Sequence, residues 1–95
     1  MEVKYILRYE SRVFSEDLPK IDASWRREIK KAIESKLTAL PLLYGKPLRQ
    51  SLNSYWKLRV GDYRIIYRVE KKTVKIFSIG HRGTVYPAVA KRLNV

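Results

Sequence analysis

Cysteine is absent from all 95 positions, histidine and methionine occur once each, and only nine residues are acidic. Without cysteine there are no disulfides and no thiolate zinc sites, and the absence fits a reducing compartment. A single histidine cannot build a His-rich metal cluster. The four glycines form no phosphate-cradling loop, there is no Ser-His-Asp pattern, and the few carboxylates are scattered. No apolar run approaches the roughly 18 residues of a membrane span. The opening Met1-Glu2-Val3-Lys4-Tyr5 lacks the charged start and apolar core of a signal peptide. The expected location is the cytoplasm, with no membrane partner, no cofactor and no metal.

What the chain does contain is positive charge. Twenty-one lysines and arginines against nine acids give +12, with a pI near 10.2. That excess favours a polyanionic partner, such as nucleic acid, an acidic protein or an anionic surface. The basic residues recur inside the strand signals and not only in tails. The length fits one domain over residues 1–95, with a modest core supplied by two Trp, seven Tyr and two Phe.

Hydrophobic periodicity orders the chain. Val3 to Tyr9 is β-rich and reads as a strand. Ser11 to Lys20 carries Val13, Phe14 and Leu18 at short-helix spacing, and Pro19 ends it. Asp22 to Leu40 is the clearest helix, with Trp25, Ile29, Ile33, Leu37 and Leu40 on one stripe, Asp22 as N-cap and Pro41 as stop. Leu42 to Ser54 reads as a loop. Three strands follow, Tyr55 to Val60, Tyr63 to Glu70 and Thr73 to His81, and Tyr86 to Leu93 forms a terminal helix with Pro87 in its first turn. The expected architecture is α+β: a small antiparallel sheet, two N-terminal helices packed on one face, and a short C-terminal helix.

Gly61-Asp62 is a two-residue type II′ hairpin signal, and it sets a register. Val60 then opposes Tyr63, Arg59 opposes Arg64, Leu58 opposes Ile65, and Lys57 opposes Ile66. Opposed residues share a face. Trp56, Leu58, Val60, Tyr63, Ile65, Tyr67 and Val69 make a core face. Tyr55, Lys57, Arg59, Arg64 and Arg68 make a basic one. Carried across the weaker Lys71-Lys72 turn, the alternation adds Val74 and Ile76 to the core face, and Lys75, Phe77, Ile79 and His81 to the basic face. Arg59 opposite Arg64 is a like-charge pair that costs stability, and an anion between them relieves it.

The run Tyr55-Trp56-Lys57-Leu58-Arg59-Val60-Gly61-Asp62-Tyr63-Arg64-Ile65-Ile66-Tyr67 resembles the signature strands of the RelE/ParE toxin superfamily. Gly45-Lys46-Pro47-Leu48 is similar to the loop before those strands. Ile79-Gly80-His81-Arg82 with Val85-Tyr86 is similar to the last strand and the tyrosine after it. The resemblance implies the RelE-like microbial RNase fold and a toxin of a type II toxin–antitoxin pair. RelE-like members enter the A site of the translating ribosome and cut mRNA without metal or cofactor. ParE-like members poison DNA gyrase. The implied partners are a cognate RelB-like antitoxin, the ribosome and mRNA. Position by position, Lys57 matches a catalytic lysine, Arg64 the arginine after the hairpin turn, Arg82 the arginine at the end of the last strand, and Tyr86 the base-stacking tyrosine. Tyr55 stands where some RelE enzymes carry a second lysine, and His81 where others have lysine or histidine.

Metal-free RNA cleavage uses the adjacent 2′-hydroxyl as nucleophile and leaves a 2′,3′-cyclic phosphate and a 5′-hydroxyl. It needs a base, positive charge at the phosphorane, and an acid. Arg64 suits the charge, since a guanidinium grips two phosphate oxygens. Each such donor is worth about two to three decades in rate. For the base, His81 can serve directly. Lys57 must first shed its own proton, which the close cations Arg59 and Arg64 favour. The match of Lys57 is the more specific, which leaves Arg82 or His81 as acid or phosphate clamp. Arg59, Arg68, Tyr55 and Lys75 extend the expected RNA-binding face.

Overall fold

The computed structural model describes residues 4–48 and 54–93. Strand β1 (Ile6–Tyr9) leads into a helical segment, a π-type turn Val13–Asp17 running into a 3-10 turn Leu18–Lys20. Helix α1 (Ala23–Ala32) continues through a π-type turn Ile33–Leu37, and one further turn forms α2 (Pro41–Tyr44). Strand β2 (Lys46–Pro47), the long strands β3 (Trp56–Val60), β4 (Tyr63–Glu70) and β5 (Thr73–His81), and helix α3 (Val85–Leu93) complete the order.

Asp22 caps α1 as its position implies. Its carboxylate accepts the Trp25 amide at 3.0 Å and the Ser24 hydroxyl at 2.7 Å. Those two hydrogen bonds hold it below the usual carboxylate range. Pro41 ends the preceding helix and also opens α2, where its missing N–H costs nothing. The stretch expected as loop therefore holds a helical turn and a short edge strand. Lys46 pairs with Lys57 and Pro47 with Trp56. Residues 49–53 of that stretch lie outside the described residues.

The sheet runs β1-β5-β4-β3-β2. Strands β3 to β5 are antiparallel as expected and β2 adds antiparallel to β3, but β1 lies parallel to β5. The helical segments after β1 carry the chain across one face to the opposite edge of the sheet, where β2 begins, and the meander from β2 to β5 returns to β1. The Gly61-Asp62 hairpin has the expected register throughout, from Val60 opposite Tyr63 to Trp56 opposite Tyr67. Gly61 has φ +59°, and a Cβ there would overlap the Trp25 indole. This turn therefore needs glycine twice over, for its backbone and for the ring lying on it.

The second hairpin keeps the expected register only from Glu70–Thr73 to Tyr67–Ile76. A bulge then intervenes, and Ile66 pairs with Ser78, Ile65 with Ile79, Arg64 with Gly80 and Tyr63 with His81. One extra residue reverses every later side chain. Ile79 accordingly enters the main core, and His81 falls in the register of Tyr63, not on the basic face.

The main core lies between α1 and the sheet. It holds Ile29, Ile33 and Leu37 from the helix against Leu58, Ile65, Tyr67, Val74, Ile76 and Ile79. Burying each such aliphatic side chain contributes about 1.5–3 kcal/mol. The Tyr67 hydroxyl donates to the Pro41 carbonyl at 2.6 Å, and burial pushes its phenol well above the ordinary range. A second cluster occupies the opposite face, where α3 covers it: Ile66, Phe77, Val85, Val89 and Leu48, flanked by Tyr55, Tyr86 and Leu93. The face expected to be basic is thus half covered by the terminal helix. Among the described residues no helix is long and apolar enough to cross a membrane.

Candidate nucleic-acid site

Between α3 and the tip of the β3–β4 hairpin runs a strip of basic side chains. Alternation along β3 places Lys57 and Arg59 on it, and alternation along β4 places Arg64 and Arg68. Lys57 is half-buried beside α3, and its ammonium lies 5.7 Å from the centre of the Tyr86 ring. These two residues are 29 positions apart in sequence, and the tertiary fold brings them into a cation–π contact.

At the hairpin tip the cations take different partners. Arg64 donates one guanidinium nitrogen to the Gly61 carbonyl at 3.0 Å and to the Tyr63 carbonyl at 2.9 Å. The like-charge pairing with Arg59 is therefore eased by backbone dipoles, while Arg59 itself stays exposed. Arg82 reaches the same tip from the loop after β5. Its amide donates to the Asp62 carbonyl at 2.8 Å, and its guanidinium lies 3.9 Å from the Asp62 carboxylate. That ion pair is largely exposed and worth little by itself. Arg59, Arg64 and Arg82 thus gather around one turn, with Lys57 and Tyr86 beneath them.

The other expected RNA-facing residues lie further along the face. Arg68 sits four residues beyond Arg64, about 13 Å along the strand. It pairs with Glu70 at 3.2 Å, stands 5.9 Å from the Tyr55 ring centre, and opposes exposed Lys75. Tyr55 tilts against Phe77 at 5.4 Å and belongs largely to the second core.

His81 is the residue the structure moves. The bulge turns it towards Tyr63, whose ring meets the imidazole edge-on at 5.9 Å. Its Nδ1 accepts the Gly83 amide at 3.2 Å. The neutral ring then carries its proton on Nε2. It lines an open cleft of about 210 Å³ with Lys20, Tyr63 and Thr84, at the edge of β5 beyond β1. Lys57 and His81 are therefore not two alternatives for one position.

Two residues with no sequence signal tie α3 to β5 and the first helical segment. Asp17 and Arg92 form a buried ion pair, their side chains 10% and 6% exposed. The contact is two-pronged, at 2.9 and 3.0 Å. Arg92 also donates to the Phe77 carbonyl at 3.1 Å, and Asp17 accepts the Ile79 amide at 3.0 Å. The pair thereby satisfies backbone groups of β5 at the bulge and just beyond it, past the end of β1. Nearby, Glu10 is penalised by partial burial, but the Arg12 amide and guanidinium outweigh that and hold it below the usual carboxylate range. Among the described residues no cluster of three metal-ligating side chains occurs.

Residues 5–86 match the family model described as ParE toxin of type II toxin–antitoxin systems, parDE. Toxin RelG of Mycobacterium tuberculosis is 42% identical over 52 residues, a match spanning 53% of this chain and 60% of the relative. The structure of the M. tuberculosis toxin–antitoxin complex RelBE2 superposes with a TM-score of 0.78 at 32% identity, covering 84% of this chain and 93% of that one. A mutant of E. coli toxin RelE in the free state superposes with a TM-score of 0.71 at 23% identity, covering 94% and 97%, which establishes the shared fold.

Proposed function

The chain belongs to the ParE toxin family of type II toxin–antitoxin systems, within the RelE/ParE superfamily, and from that membership we propose that it is a RelE-like endoribonuclease that cuts mRNA in the ribosomal A site without metal. The observation that carries this reading is the Lys57–Tyr86 contact at the foot of the arginine cluster. It supports the reading because it joins an amine to an aromatic ring on the strand that carries Arg59 to the hairpin tip.

In the free protein the Lys57 ammonium occupies the Tyr86 ring. A nucleobase stacking there gains about 1–3 kcal/mol and displaces Lys57 towards the ribose. Lys57, once neutral, takes the 2′-hydroxyl proton as the oxygen attacks phosphorus. Arg64 and Arg82 leave their weak partners, the turn carbonyls and Asp62, and bind the phosphorane oxygens. The 5′-oxygen departs as a hydroxyl, taking a proton from solvent water, and leaves a 2′,3′-cyclic phosphate; Lys57 returns its proton to solvent. His81, with its Nδ1 occupied and its ring off the strip, does not serve as base here. Its Nε2–H lies beside Arg82 in sequence and suits a hydrogen bond to the downstream backbone. A RelB-like antitoxin, rich in acidic residues, holds the toxin silent in the cytoplasm.

Cell-free translation with mapping of mRNA ends tests the proposal. Cuts confined to A-site codons, lost in Arg64→Ala, are expected. Intact mRNA at toxic concentrations removes the assignment. The family model's ParE description supports a second reading, a gyrase poison on the same fold. Stalled gyrase–DNA complexes in treated cells, with mRNA uncut, would establish that reading instead.

A further inference from the structure

We infer that Asp17 and Arg92 are positioning residues for the Lys57–Tyr86 pair, an inference that rests on reading the basic strip as the cleavage site. The argument begins with how α3 is attached. Val85 and Val89 are buried against the second cluster, and Arg92 continues their stripe at the i, i+4, i+7 spacing of one helix face. At its N-terminal end the helix follows directly from β5. The Thr84 amide donates to the His81 carbonyl at 3.0 Å, and Val85 packs so closely on Gly80 that an added Cβ would stand 3.3 Å from it. At the other end, among the described residues, every side-chain hydrogen bond from α3 to the rest of the chain comes from Arg92.

Apolar packing holds the length of the helix, directional contacts fix its two ends, and Tyr86 lies between them. Tyr86 and Arg92 are separated by six residues, about 9 Å of helix rise. Without the Arg92 anchor the helix keeps only the apolar packing of Val85, Val89 and Leu93, which is non-directional, so its tilt and the placement of the Tyr86 ring lose their hydrogen-bonded reference. The same anchor ties Asp17 to the Ile79 amide and Arg92 to the Phe77 carbonyl, backbone groups at the bulge and just beyond it. It therefore also supports the register that delivers His81 and Arg82 to the hairpin tip. Neither Asp17 nor Arg92 is on the basic strip, and neither can touch a substrate bound across Lys57 and Tyr86. Their effect on chemistry passes through the placement of that pair. Misplacement of a reacting group by about 1 Å can cost about a hundredfold in rate.

The test uses the full chain and two readouts. The Lys57 ε-methylene protons lie near the Tyr86 ring and take an upfield ring-current shift in the NMR spectrum, calibrated by its loss in Tyr86→Leu. In Asp17→Asn, shown to be folded by its thermal transition, that shift is expected to collapse towards the Tyr86→Leu value. Single-turnover cleavage of mRNA on stalled ribosomes is expected to fall about 10- to 100-fold, with affinity for the programmed ribosome within about threefold. Should Asp17→Asn fail to fold, Arg92→Lys serves. It retains the charge but loses the two-pronged contact, and a loss of about three- to tenfold in rate with a partial loss of the shift is expected. A folded variant with the wild-type Lys57 shift and the wild-type rate overturns the inference. If the wild-type protein leaves mRNA intact, the cleavage reading fails, and the Lys57 shift alone still decides whether this pair sets Tyr86.

Discussion

The sheet face under α1 buries Leu58, Ile65, Tyr67, Val74, Ile76 and Ile79 in one continuous cluster, whereas the face under α3 buries Ile66 and Phe77 and interleaves them with Lys57, Arg64, Arg68 and Lys75. The same two-residue alternation serves both. On the first face each inward position is apolar, and a long helix closes over it. On the second, α3 is shorter and packs mainly on β5, reaching Lys57 of β3 through Tyr86, so Arg59 stays exposed. Stability is concentrated on one face and the proposed chemistry on the other. The contrast predicts that substitutions on the two faces separate cleanly into those that unfold and those that inactivate.

The largest effects should show this separation directly. Ile65→Ala, fully buried under α1, is expected to cost about 2–5 kcal/mol in urea unfolding. Arg64→Ala should lower the cleavage rate by about two to three decades. Its melting temperature should stay near that of the wild type, because the bonds it loses are to partly solvated turn carbonyls. If Arg64→Ala unfolds the protein instead, the division between faces fails. Next in size is Tyr86. Replacement by Ala should weaken binding to the programmed ribosome by about 1–3 kcal/mol, while Phe retains most of it. Equal losses in both variants would point to the hydroxyl rather than the ring.

Acid stability probes the edge of the α1 face. Glu10 and Asp22 are both held below their unfolded values. Their contribution is complete above the ordinary carboxylate range and is lost as pH falls through the lower folded values. The melting temperature should therefore drop on acidification below about pH 4–5, and Asp22→Asn should drop less steeply. A parallel decline in both would remove the N-cap from this account. The smallest effect belongs to the Lys71-Lys72 turn, where Lys71 has φ +55°. Lys71→Gly relieves a left-handed lysine and should stabilise by up to about 1 kcal/mol without altering cleavage.

Much of this was legible in order of residues alone. The first hairpin was readable because a two-residue turn dictates register and alternation then assigns faces. The cap at Asp22 and the helix after it were readable from local spacing. The second hairpin was readable only as far as Tyr67–Ile76, since nothing in Ile76-Phe77-Ser78 marks a bulge. The groups that accompany it, Asp17 and Arg92, come from 75 residues apart. The exposed cations Lys57, Arg64 and Arg82 stood out by type and position, but the partners each would take did not.

By itself the sequence determined the charge, the hairpin and the helix that covers the main core, because composition, period and turn chemistry are local properties. Only the tertiary structure decided that β1 joins parallel to β5, that α3 covers half of the basic face, that His81 turns away, and that Tyr86 meets Lys57. Each of those depends on contacts between residues far apart in the chain. Packing selects such contacts, and no local pattern encodes them.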